Sequence, residues 1–83
     1  MEILNDSSIV RSTFIKVEDG CRPYRIVLRH VEGSFTPYVV HHESLRFEQS
    51  NIWVHEAFFW GHYFQNQPDA IDKFNEACRE HGF

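Results

Sequence analysis

The side chains with the most evident capacity for chemistry in this 83-residue chain are six histidines and two cysteines. To hold a metal ion, His30, His41, His42, His55, His62 and His81 would have to converge in sets of three or four, and zinc ligands usually come in recognisable pairs. The spacing argues otherwise. Adjacent His41 and His42 on a strand point to opposite faces, and so do His55 and His62 if the strand between them is continuous. HEAFF at 55–59 begins like the HExxH of a zinc protease, but Phe59 stands where the second histidine is needed. HHESLRF at 41–47 fails in the same way, with Arg46 at that place, and no CxxC occurs. No metal and no cofactor are expected.

Acid–base and nucleophilic chemistry find no better footing. Cys21 falls in a turn, and Cys78 falls on an apolar helix stripe, where a thiol behaves as a small core residue. Glu43 and Glu56, with His42 and His55 beside them, form the one carboxylate–imidazole cluster worth naming. Neighbouring strand residues of this kind more often form exposed ion pairs. A non-enzymatic protein is the expectation.

The elements that must position these residues are mostly strands. Residues 1–9 read as an irregular lead-in, and a β-like composition runs from Val10 to Glu18. Asp19-Gly20 is a strong hairpin signal, and PYRIVLRHV after it is a clear strand. Alternation sends Tyr24, Ile26 and Leu28 one way and Arg25, Val27 and Arg29 the other. Glu32-Gly33-Ser34 makes a second turn before FTPYVVHHE. Residues 43–57 leave the register open. Direct pairing about Gln49-Ser50 would match Leu45 with Val54 and Phe47 with Ile52, but it would also oppose Glu43 to Glu56.

The closing segment NQPDAIDKFNEACREHGF predicts a helix over about 67–81. Pro68, Asp69 and Asp72 lie in its first turn, and Gly82 follows its end. Ala70, Ile71, Phe74, Ala77 and Cys78 make the apolar stripe. The expected architecture is α+β: a four-stranded antiparallel β-meander over about 10–64 with one C-terminal α-helix packed on one face. It forms a single domain over residues 1–83.

One helix covers one face of such a sheet, so the other face should meet solvent or a partner. In FFWGHYF (58–64) the bulkier set Phe58, Trp60, His62 and Phe64 would lie under the helix, leaving Phe59, Gly61 and Tyr63 on the open face. Five of the eight basic residues fall between Arg11 and Arg29 against two acids, while residues 69–80 hold four acids against two bases. The partner-binding residues expected on the open face are therefore Phe14, Lys16, Arg25, Arg29, Phe59 and Tyr63. Aromatics with arginine suit a protein interface, either a homodimer or a protein target. The same face gives the alternative, single-stranded nucleic acid stacked on aromatics. FFWGHYF resembles the RNP1 strand of RNA-recognition motifs, but without the leading Lys/Arg-Gly and without the first of that fold's two helices. A net charge of −4 disfavours nucleic acid. In size and acidity the chain is similar to phage and mobile-element inhibitors, including anti-CRISPR proteins.

Composition sets the remaining limits. With 42% hydrophobic and 16% aromatic residues the chain is globular, built on few bulky pieces. The first twenty residues lack a basic segment followed by an apolar one, and no run approaches the roughly 18 apolar residues of a membrane span. A cytoplasmic protein with reduced thiols and no membrane partner is the expectation.

Overall fold

The computed structural model describes residues 2–3, 7–49 and 51–83. Among these the elements are β1 (Glu2–Ile3), β2 (Ile9–Ser12), β3 (Tyr24–His30), β4 (Tyr38–Phe47), β5 (Ile52–Phe64) and α1 (Gln67–Glu80). Strands β2 to β5 form the antiparallel meander read from the sequence, and α1 packs on one of its faces. Of the lead-in read as irregular, residues 1 and 4–6 lie outside the described residues, and two described parts are strand. Glu2 and Ile3 pair in parallel with Ile52 and Trp53, and Ile9 already belongs to β2. The sheet order is β1-β5-β4-β3-β2, so β1 and β2 stand at opposite edges although only residues 4–8 separate them in sequence. The strand expected over 10–18 stops at Ser12 and resumes only as the Lys16–Tyr24 bridge.

The helix follows from its end residues. Asn66 caps it, its side chain accepting a hydrogen bond from the Asp69 N–H at 3.0 Å, and proline occupies the first turn. At the far end Gly82 adopts φ 74°. The N–H of Gly82 donates to the Arg79 carbonyl and that of Phe83 to the Cys78 carbonyl. This is a Schellman ending, which needs a residue at ease in the left-handed region. The Lys16 ammonium donates to the His81 carbonyl at the same end, where the helix dipole favours a cation. Ala70, Phe74 and Ala77 then pack on Ile26, Leu28 and Val40, with Tyr38, Ile71, Phe64 and Cys78 around them. No described helix is long and apolar enough to cross a membrane.

The second face of the sheet is not open. Arg25, Val27, Val39, Glu43 and Leu45 are each at most 2% exposed, and His41 is 6% exposed. Arg25 Nε donates to Glu43 Oε1 at 2.5 Å, and His55 Nδ1 lies 2.8 Å from Glu43 Oε2. Phe58 stands among these groups, its ring centroid 4.6 Å from that of His41, 4.4 Å from that of His55 and 4.5 Å from the Arg29 guanidinium. An arginine that alternation places opposite the helix is thus an internal residue, because its partner carboxylate sits directly across the ladder.

The register of 43–57 also resolves. Leu45 pairs with His55 and Phe47 with Trp53, and an irregularity at Ser44/Leu45 leaves Glu43 opposite Phe58. Glu43 and Glu56 are thereby separated: Glu43 joins Arg25, while Glu56 accepts from Arg22 at 2.5 Å. A buried charge left alone is costly, whereas an apolar pair of similar volume is tolerated. Glu43→Gln should therefore cost about 3–5 kcal/mol in urea unfolding, and the double change Arg25→Met with Glu43→Leu should recover most of that loss.

Candidate functional site

The strand β5 is longer than β4, and the difference is taken up locally. Val40 pairs with His62 and His42 with Phe59, so His41 alone opposes two residues, Trp60 and Gly61. This is a β-bulge, with one strand carrying an extra residue. Trp60 there takes φ 54°, a region unfavourable for a bulky side chain by roughly 1–3 kcal/mol. Gly61 follows because a Cβ at that position would come within 3.1 Å of His41 Cε1 and of the Tyr63 ring.

Beyond the bulge the alternation of β5 is displaced. Phe59 joins His42 on the helix side, and Phe58 joins Glu43 on the other. The reading of FFWGHYF as an uninterrupted strand is corrected here. Phe58 and Phe59 exchange faces, and Trp60, expected under the helix, is 72% exposed.

On the helix side these residues wall a cleft of about 300 Å³, lined by Tyr24, His42, Ser44, Phe59, Trp60 and His81, with Cys21 and Arg22 at its margin. A second cavity of about 190 Å³ shares His42, Trp60 and His81 and reaches Lys73 and Glu80. The Tyr24 and His42 rings stack in parallel at 5.7 Å. Trp60 meets His42 edge-on at 5.0 Å, and His81 does so at 4.5 Å. Burial holds the His42 imidazole below its ordinary range, helped by the charges of His81 and His62. Ser44, 3% exposed, has a hydroxyl with no hydrogen-bond partner.

The six partner-binding residues read from the sequence do not form one surface. Phe14 is exposed and packs on Phe83 at 5.0 Å, while Lys16 lies over the same ring, so both gather at the helix C-terminus. Arg25 is internal. Arg29 is half-buried, donating to the Ser8 hydroxyl at 2.8 Å and covering Phe58. Tyr63, 62% exposed, meets the edge of His41, and Phe59 lines the cleft, while both also border, with Trp60, a separate shallow depression. Tyr24, His42, Ser44, Trp60 and His81 were missed as site residues. The one sequence signal for them was the glycine set inside an aromatic run, the usual mark of a bulge or a close backbone approach.

Ser44 makes no hydrogen bond to either neighbouring imidazole, so no activated hydroxyl is assembled. Burial pushes the Cys78 thiol up, away from thiolate character. Among the described residues no group of three or more His, Cys, Asp or Glu side chains is placed to hold a metal ion.

No family model matches this sequence, and no curated protein or solved structure matches it.

His41 sets a pH dependence. Both its ring nitrogens are buried without partners, and its pKa falls to about 4 through burial first and the Arg29 charge second, against an opposing pull from Glu43. The unfolded chain binds this proton near pH 6.5 and the folded chain does not, so the stability is complete above 6.5 and drains away towards pH 4, by up to about 3 kcal/mol. His41→Leu should be at least as stable as the parent at pH 7 and gain on it as pH falls through that window. Urea titrations at pH 7, 6 and 5 measure the difference, and parallel curves for the two proteins would remove His41 as its cause.

Proposed function

We propose that this protein is a non-enzymatic interaction module that binds a second copy of itself or another protein through the aromatic ledge of β5, Phe59, Trp60 and Tyr63. The observation that carries this reading is Trp60. A large apolar side chain is held in a strained backbone conformation and is left 72% exposed, two costs that folding alone does not repay. Phe59 and Tyr63 beside it are 45% and 62% exposed, so the ledge has the aromatic character of an interface centre. Gly61 and the bulge fix its shape before any partner arrives, which lowers the ordering cost of binding. The acidity and size of the chain fit an inhibitor of the phage or mobile-element kind, whose target would be a protein.

Single-stranded nucleic acid is the second reading. It draws on the same aromatics but has weak electrostatic support. Arg25 is consumed in an ion pair and Arg29 is committed to Ser8 and Phe58, while the chain carries a net charge of −4.

Trp60→Gly separates structure from binding. Glycine is at ease at φ 54°, so the variant should melt at the same temperature as the parent or a few degrees higher. It should nevertheless lose self-association in sedimentation velocity, or lose the protein retained by the parent in matched affinity captures. A parent that is monomeric at every concentration and retains the same proteins as Trp60→Gly would overturn the reading. Fluorescent oligonucleotides should show no binding at low or at physiological salt.

A further inference from the structure

The helix-side cleft differs from an ordinary apolar depression in one respect: a buried hydroxyl in its wall has no partner. Ser44 lines the cleft, and its Oγ is buried without a hydrogen-bond partner, in a wall that also carries Tyr24, Phe59, Trp60 and the His42 and His81 rings, with Cys21 and Arg22 at the margin. An unsatisfied buried polar group costs about 1–3 kcal/mol, and natural structures keep few of them. Its neighbours are flat. Tyr24 and His42 already form a parallel stack, and the exposed Trp60 ring stands edge-on to His42 on the other side. A cavity of about 150 Å³ suffices for benzene, so the 300 Å³ here admits one six-membered ring with a substituent.

We propose that this cleft is a binding site for a phenolic ring, its face against the aromatic walls and its hydroxyl paired with Ser44 Oγ.

The chemistry selects that class from both directions. A ring without a polar tip would fill the cleft but leave Ser44 unpaired. A nucleobase carries several edge donors and acceptors, and most would be stranded against Tyr24, Phe59 and Trp60, each at a cost of the same order as the Ser44 penalty. One polar tip on an otherwise apolar ring suits a wall that is mainly aromatic and whose one buried polar atom without a hydrogen-bond partner is Ser44 Oγ. The inference deepens the interaction reading and rests on it for its natural source, since a tyrosine of a bound protein presents the same ring as a free phenol.

The test uses the intact protein, labelled with ¹⁵N, and follows backbone amides during titration with p-cresol, toluene and N-acetyltyrosinamide. Saturable shifts centred on Tyr24, Ser44 and Trp60 are expected with p-cresol, which should bind about 5- to 10-fold tighter than toluene, the worth of one net hydrogen bond. Ser44→Ala leaves the fold intact, because no bond is lost, and should bring the two ligands to equal affinity. N-acetyltyrosinamide binding as well as p-cresol would assign the site to a protein tyrosine, and p-cresol alone would assign it to free phenols. Equal affinity for p-cresol and toluene in the parent, or shifts away from the cleft, would overturn the proposal. If the cleft ignores p-cresol while Trp60→Gly still abolishes association, this inference alone fails. If p-cresol binds a protein that never associates, the interaction reading alone fails.

Discussion

Where two paired positions enclose more residues on one antiparallel strand than on the other, the longer stretch must bulge, and the place of the extra residue decides which side chains share a face. Here His41 of β4 faces both Trp60 and Gly61 of β5, and the side chains on either side depend on that slip. It turns Phe58 to the second face, where its ring sits against His41, His55 and the Arg29 guanidinium. It turns Phe59 to the helix side, where it walls the cleft with Trp60, Tyr24 and His42. Glycine at 61 permits the close approach of the His41 ring, and Trp60 bears the strained dihedral.

The two faces are stabilised by different physics. Under the helix, Ile26, Leu28 and Val40 meet Ala70, Phe74 and Ala77 in an apolar layer, where burial is the favourable term. Across the sheet the layer is mixed. Arg25, Glu43 and His55 form a chain of charged and polar contacts, with aliphatic Val27, Val39 and Leu45 buried beside them. A buried ion pair contributes little net stability, but it penalises every register that separates its members. Arg25 lies opposite Glu43 on the β3–β4 ladder, and the β4–β5 register sets Phe58 rather than Glu56 across from Glu43. The costs that are not offset within the fold include the Trp60 dihedral and the Ser44 hydroxyl beside the cleft, and the His41 ring nitrogens on the other face.

Local periodicity made the helix and β3 legible. The stripe Ala70, Phe74 and Ala77 and the alternation Tyr24, Ile26 and Leu28 each lie within one element and need no partner to be read. The bulge was not legible, because a period of two carries no mark of where an extra residue falls. A strand with one insertion reads as two acceptable halves, so Phe58 and Phe59 were assigned to the wrong faces. The predicted clash of Glu43 with Glu56 was the useful warning, since like charges set opposite in a simple register imply that the register slips. Arg25 was misplaced for a different reason. An alternating arginine looks solvent-facing until its carboxylate, 18 residues away, is known to be its ladder partner. Phe14 and Lys16 were placed by strand alternation, but the strand ends at Ser12, so tertiary contacts with Phe83 and His81 decide their position.

The slip can be measured directly by cross-strand nuclear Overhauser contacts between β4 and β5. In a regular antiparallel ladder that pairs Val40 with His62, His42 would face Trp60. In the bulged strand it faces Phe59. Backbone contacts from Val40 to His62 and from His42 to Phe59, with the Trp60 indole against the His42 ring, are the result required by the structure. Backbone contacts from His42 to Trp60, with Phe58 on the helix side, would contradict it and remove the basis for the aromatic ledge.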